Sequence, residues 1–369
     1  MEIRAFTFEP REVDLFVESA RELRRDDPGW IPPSTSSVRA QLSDRNPFFR
    51  HGRSRNFLAL RDGLVVGRCS AMLDPRLVLD GVPVGMVGFF EAERDPATAT
   101  GLLDRAVAWL KGEGARVVWG PIDFSVFNRY RFKTRGFDRE PFLGEPHNPP
   151  HYPELFTHYG FEPLEVSASW DLKEEHVLDL RQKMEAGAHA KEVAEAGYRY
   201  VPFDMQNPEE GFRTIYEMTM DCFTGHTGYV RVSLEEFALW TGGGEAVLEP
   251  AGALTIVGPD DHPAGSSYCY PDWARAMRRL DGDFDPARFR ALCEEEPADR
   301  IVFHTGMVHP DHRLRGLLQG AYVRTIDALR ARGCRAGIGA LAKLGNPIFE
   351  RIYGAGERAR EYVVYRLEP

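Results

Sequence analysis

No stretch of this sequence is apolar for long enough to cross a bilayer as a helix. The opening residues, MEIRAFTFEPREVDLF, carry no apolar signal core. Cysteine is scarce: Cys69, Cys222, Cys269, Cys293 and Cys334 lie far apart with no C-x-x-C pair. An odd, scattered set fits free thiols in a reducing compartment better than disulfides or a zinc site. Positive charge is also short, since 46 Lys and Arg face 56 Asp and Glu for a formal net charge of -10. That balance argues against a general nucleic-acid binder, which needs a basic face. The expectation is a cytoplasmic protein with no membrane and no nucleic-acid partner. With 43% hydrophobic and 28% charged residues over 369 positions, it has the profile of a globular chain of two domains.

The two halves are patterned alike. LLDRAVAWLKGEGARVVWGP reads as helix, glycine stop and strand, and AYVRTIDALRARGCRAGIGA repeats that order around Gly333 as the first does around Gly114. An Asn-Pro helix start follows each, at Asn148 and Asn346. FLALRDGLVVGRCSAML reads as a hairpin turning at Asp62-Gly63, with a counterpart turning between Asp260 and Pro263. The charged, helix-prone stretch after LEVSASWDL is the natural junction, dividing the chain into residues 1–172 and 173–369. The expected fold class is α/β (α+β), each half a mixed sheet flanked by helices.

Between IVFHTGMVHP, an apolar strand stopped by Pro310, and a helix running from Leu317 to Gly333, the chain places Arg313, Arg315 and Gly316. The first turn of a helix offers unpaired N–H groups and the positive end of the macrodipole. Carboxylates are the usual stabilising choice there; arginines break the local rule and point to an anion site. In the other half the matching helix start is surrounded by Glu91, Glu93 and Asp95, with Asp95-Pro96 as cap and first position. Carboxylates there stabilise the helix and repel a polyanion.

Arg313-x-x-Gly316 after a strand ending V-H-P, opening a long helix, resembles the pyrophosphate motif of the GNAT acyltransferase superfamily. The following strand and Asn-led helix, GCRAGIGALAKLGNPIFERIYG, agree, and the first half is similar to a degenerate copy, as in tandem GNAT-fold bacterial proteins. The resemblance implies two tandem GNAT-like domains, each a mixed, mostly antiparallel sheet, with acetyl-CoA or another acyl-CoA as cosubstrate. Coenzyme contacts would fall to Met307, Val308, Arg313, Arg315, Gly316, Leu317, Leu318 and Asn346 of the second half, a degenerate first half binding none. Leu318 departs from the family, which usually has Gly or Ala there.

Acyl transfer to an amine requires loss of an acceptor proton, stabilisation of an oxyanion and protonation of the leaving thiolate. In the family a tyrosine seven residues after the helix-leading asparagine often gives that last proton, and Tyr353 stands seven after Asn346. The first-half equivalent is Leu155 or Phe156, neither able to donate. Val302 occupies the position where relatives often carry glutamate, which leaves His304 on the same strand as the candidate base. As a structural alternative, Tyr353 and His304 are packed core residues.

HPDH and HNPPH contain metal-ligand residue types, but neither has a third or fourth ligand nearby, so no metal is expected. The long Gly/Pro/aromatic connection from Gly120 to Tyr152 reads either as the wall of an acceptor pocket or as a brace between halves. Its polar candidates are Asn128, Glu145, His147 and Tyr152. Residues 281–300 read as a surface helix without chemistry. The expected activity is acyl-CoA-dependent N-acylation of a small-molecule or peptide amine. The rivals are an acyl-CoA-binding sensor without turnover and an aminoacyl-tRNA-dependent transferase, the latter disfavoured by the acidic balance.

Overall fold

The computed structural model describes residues 1–241 and 247–368. The first half runs β1 (Glu2–Phe6), α1 (Pro10–Leu23), α2 (Thr35–Gln41), β2 (Arg53–Arg61), β3 (Leu64–Leu79), β4 (Val82–Ala92), α3 (Pro96–Gly112), β5 (Val117–Gly120), β6 (Phe132–Arg135), α4 (His151–Tyr159) and β7 (Glu162–Leu172). The second runs α5 (Glu174–Gly187), α6 (Ala190–Glu195), β8 (Arg199–Pro202), α7 (Pro208–Cys222), α8 (Leu234–Thr241), β9 (Ala253–Val257), β10 (Pro263–Pro271), α9 (Ala274–Leu280), α10 (Pro286–Glu295), β11 (Arg300–Val308), α11 (Leu317–Ala331), β12 (Ala336–Lys343), α12 (Pro347–Tyr353) and β13 (Glu357–Leu367). The fold is α/β with a large mixed sheet, as the alternation of patterns predicts.

The strands form one sheet in the order β1-β2-β3-β4-β5-β13-β7-β12-β11-β10-β9-β8, with β6 paired to β13. Only β4 with β5 and β11 with β12 run parallel among these pairs; the rest are antiparallel. The halves exchange their last strands. The chain's final strand, β13, lies against β5 of the first half, while β7 lies against β12 of the second. The two exchanged strands pair with each other from Glu357↔Asp171 to Arg366↔Glu162, which fuses the halves into one sheet.

Local chemistry explains the repeated elements. Asp62 and Gly63 both take positive φ, at 53° and 81°, as a two-residue hairpin turn requires. Past α3 and α11, Gly114 and Gly333 take the left-handed conformation, with φ of 99° and 104°. Both helices bury their apolar stripes on the same kind of face. Leu102, Leu103, Ala106 and Leu110 of α3 pack on Phe57, Cys69, Val87 and Phe156. Tyr322, Ile326 and Leu329 of α11 pack on Ile301, Phe303 and, from α5, Val177 and Leu180.

Candidate functional site

The parallel pair β11 and β12 stays in register only from Arg300↔Ala336 to Phe303↔Gly339. Beyond that point β11 pairs with β10 alone, and β12, paired with β7 from Gly337 to Lys343, is irregular between Gly339 and Ala342. The two strands therefore splay, opening a wedge whose facing edges have no strand partner. His304 is the extra residue of a β-bulge, because Tyr268 faces Thr305 while Cys269 faces Phe303. The bulge re-aims the strand where the wedge opens.

At the mouth of the wedge lies the bend singled out in the sequence. Leu314 and Gly316 take positive φ, 64° and 73°, and Gly316 caps α11 with no side-chain hydrogen bond. The amides of Leu314, Arg315, Gly316, Leu317, Leu318 and Gln319 donate to no acceptor among the described residues, the first helical bond being Gly320 N–H to Gly316 O. Arg313 donates only to the Val308 carbonyl, at 3.3 Å, and neither it nor Arg315 has a carboxylate within ion-pair distance among the described residues. Both guanidiniums are exposed. Consecutive free amides, a helix N-terminus and two unpaired cations form a cradle of the chemistry that can take an anion.

Gly316 itself is buried: a Cβ there would meet the backbone of Gly187 and Ala188, where α5 ends. Its absent side chain thus makes room for the protein's own chain. Leu318 fills the space over Gly306, 2.8 Å from where a Cβ would sit, so the larger side chain is matched by a glycine on β11. Met307 pairs with Ser266 and is buried against α7, with Thr219 Oγ1 4.0 Å from its sulfur. Asn346 caps α12 by accepting from Ile348 N–H at 3.0 Å.

Tyr353, at the end of α12, is buried under Gly339, where a Cβ would stand 2.5 Å from its ring. Its hydroxyl lies 3.5 Å from that of Tyr322, which is itself 3.2 Å from the Cβ position of Gly306. The two phenols therefore stand at the α11 side of the wedge. Burial raises the Tyr353 phenol above its ordinary pKa, which keeps it neutral at physiological pH. His304 is on the other side, its ring 6.0 and 5.8 Å from those of Tyr268 and Tyr270. Its Nδ1 shares a 2.8 Å hydrogen bond with Thr305 Oγ1. Burial, then the charge of Arg131, pushes the imidazole down to about 4.

The long connection between β5 and α4 reaches this second-half site. Phe142 is buried among Tyr270, Val302, Ile338 and Ala340. Tyr270 donates to Leu143 O at 2.8 Å, and Asp272 accepts Leu143 N–H at 2.9 Å. The four polar candidates of that connection are not brought to the wedge together. Asn128 donates to Gln41 at 2.8 Å, His147 Nε2 lies 3.0 Å from Asp27, and Tyr152 donates to Glu91 at 2.6 Å. Glu145 is clamped by Lys133 at 2.9 Å, Arg360 at 3.2 Å and the Tyr362 hydroxyl at 2.7 Å. Arg360 also pairs with Asp171, so Glu145 ties the connection to both exchanged strands.

Sequence reasoning missed Glu165, Lys343 and Arg131. Glu165 on β7 bonds Lys343 at 2.6 Å and Thr227 at 2.8 Å, at the β12 edge of the wedge. Burial works to raise its carboxyl, but the hydrogen bonds from Lys343 and Thr227 hold it below the ordinary range. Their one local signal is alternation, which places Glu165 and Lys343 on strands but cannot reveal the β7–β12 pairing that joins them. Among the described residues, no group of His, Cys, Asp or Glu has the disposition of a metal site.

The first half has the same splay, closed. Pairing of β4 with β5 ends at Met86↔Trp119, and Phe89 takes positive φ at the bulge. Asp123 then enters the gap, its Oδ1 accepting Phe89 N–H at 2.6 Å, and Ile122 N–H binds Val87 O at 2.9 Å. At the start of α3, Asp95 accepts Ala97 N–H at 3.1 Å, and Arg61 pairs with Glu93 and Asp95 at 2.7 and 2.8 Å. Glu91 points inward to Arg24 and Tyr152.

No family model matches the chain. Protein YghO of Escherichia coli K12 is 26% identical over 277 residues, which is 74% of this chain and 70% of that protein. A protein named bacterial ceramide synthase, from Caulobacter vibrioides, is 26% identical over 224 residues, 60% of this chain and 57% of its own length. Among solved structures, a tandem GNAT protein from the clavulanic acid biosynthesis pathway superposes with a TM-score of 0.55 at 16% identity, covering 100% of this chain and 98% of that one. That agreement spans both halves: the chain has the tandem GNAT fold.

Proposed function

We propose that the chain is an acyl-CoA-dependent N-acyltransferase whose active site is the β11/β12 wedge of the second half. The observation that carries this is the run of unbonded amides from Leu314 to Gln319, flanked by two unpaired arginines, at the mouth of an open wedge. Those groups fit a pyrophosphate, and the unpartnered edge of β11 at Gly306, Met307 and Val308 fits the amides of a pantetheine arm. A thioester seated there places its carbonyl against the strand edge.

In this reading Tyr353 protonates the departing thiolate. Its neutral, buried hydroxyl stands on the α11 side of β11, while His304 stands on the opposite side, where the acceptor would approach. A ring that titrates at about 4 is neutral at physiological pH and able to accept a hydrogen bond from the incoming amine. As a weak base it relays the amine proton to solvent water, and solvent restores to Tyr353 the proton given to the thiolate. Glu165, Lys343 and Arg131 line the same approach as charged contacts for the acceptor. A ceramide is an amide, so the name of the Caulobacter relative favours a nitrogen nucleophile and adds long-chain amines to the acceptors worth testing.

The test is release of free thiol from acetyl-CoA and longer acyl-CoAs over a panel of polar and long-chain amines. Amine-dependent release is the expected result. Tight coenzyme binding with no release on any acceptor would instead support a sensor without turnover.

A further inference from the structure

A small open pocket of about 140 Å³ lies beside the first turns of α11, lined by α6, by Tyr198, Arg199 and Tyr200, and by Gly320 and Arg324. It is too small for a whole cofactor and large enough for one end group of it. Its walls are built onto the anion cradle. Tyr198 hydroxyl lies 2.9 Å from His312 Nδ1 at the start of the bend, and Tyr200 donates to Leu317 O at 2.9 Å at its end.

Two cations line this pocket: Arg199, which is paired with Asp261 at 2.6 Å, and Arg324. The Arg324 guanidinium carbon lies over the Tyr200 ring, 4.0 Å from the centroid, and Nη1 donates to Gly320 O at 3.1 Å. That bond draws the charge back to the level of Gly320, one helical turn and roughly 6 Å along the axis from the N-cap Gly316. No carboxylate stands within ion-pair distance of it among the described residues, whereas Arg330 and Arg332, farther along, each have one. A guanidinium held over an aromatic ring, with its other N–H groups unused among the described residues, is preorganised for a phosphate.

We infer that this pocket reads the 3′-phosphate of the coenzyme, with Arg324 as the specificity-determining contact. The inference rests on the acyl-CoA reading above. In coenzyme A only the ribose separates the pyrophosphate from the 3′-phosphate, a span that matches one turn of helix. With the pyrophosphate on the amides of Leu314 to Gln319, the second anion falls beside Gly320, and the small side chains of α6 leave room for the ribose.

The experiment compares coenzyme A with 3′-dephospho-coenzyme A by calorimetry, in the wild-type chain and in Arg324→Met. The wild type is expected to bind coenzyme A at least tenfold more tightly than the dephospho form. Arg324→Met should erase that preference while leaving affinity for the dephospho form unchanged. Equal affinities in the wild type, or a preference that survives in a folded Arg324→Met, would overturn the inference and leave the acyl-CoA reading standing. The wild-type comparison decides without any variant. Binding of neither molecule would remove both together.

Discussion

Asp123 accepts the amide proton of Phe89 at 2.6 Å and so closes in the first half the strand splay that stands open in the second. Burial, opposed by that hydrogen bond, raises its carboxyl to about 6, against an ordinary 3.8, with Arg129, Arg68 and Glu91 as neighbouring charges. The folded state therefore binds this proton more tightly than the unfolded chain. The associated stability is complete below about pH 4 and lost as pH rises through about 6. Asp123→Asn keeps an oxygen for Phe89 N–H and removes the titration. Relative to wild type it should gain stability between pH 5 and pH 8, read as the difference in thermal midpoints. An unchanged difference across that interval would show that Asp123 is already ionised at pH 5.

Glu145 should behave as a brace. Lys133, Glu145 and Arg360 are each at most 1% exposed at the side chain. Removing the carboxylate leaves Lys133 buried without its partner and Arg360 with Asp171 alone, and breaking a buried pair typically costs about 3–5 kcal/mol. Urea denaturation of Glu145→Ala is expected to show a loss of that order. A variant of wild-type stability with a raised KM for the acceptor would place Glu145 in a binding role instead.

His304 is predicted to titrate at about 4, below its ordinary value, through burial and the charge of Arg131. In an NMR titration its ring protons should not shift between pH 8 and pH 5. The acid limb of kcat/KM should correspondingly lie near 4. A limb near 6.5 that persists in His304→Asn would assign the base to another group.

Tyr353→Phe keeps the ring under Gly339 and removes only the hydroxyl. If that hydroxyl protonates the thiolate, kcat falls by on the order of a hundredfold or more, with coenzyme affinity and thermal midpoint near wild type. Full kcat when chemistry limits the rate would move the proton to solvent or to another side chain, Tyr322 being 3.5 Å away.

Much of the fold is legible in the sequence because its signals are local. Asp62-Gly63 can turn a hairpin only one way, and Gly114 and Gly333 stop helices by the conformation they permit. The bend before α11 is legible for the same reason: Arg313, Arg315 and Gly316 break a helix-start rule in a single stretch, and Gly316 is the cap. The exchange of β7 and β13 is not legible. Alternation marks both as strands, and a strand's partner is set by contacts some two hundred residues away in the chain, as Glu357↔Asp171 is. The roles of Glu145 and Tyr152 fail to show for the same reason, since their partners Arg360 and Glu91 are distant in sequence. Gly316 is a partial case: the sequence marks a backbone approach, but the chain that approaches is the end of α5, which composition presents only as a linker.

If the second-half bend holds one coenzyme, calorimetric titration with coenzyme A will show it. Gly316 is a poor site for the variant, because any side chain there strikes Gly187 and Ala188. Arg313→Ala with Arg315→Ala is the cleaner choice, since both side chains are exposed and unpaired with any carboxylate among the described residues. A charge-assisted contact to phosphate contributes about 1.5–3 kcal/mol, roughly tenfold or more in affinity for each arginine. Saturation at one equivalent per chain is expected, with a loss of about a hundredfold in the folded double variant. Saturation at two equivalents, or undiminished affinity in that variant, would contradict that reading.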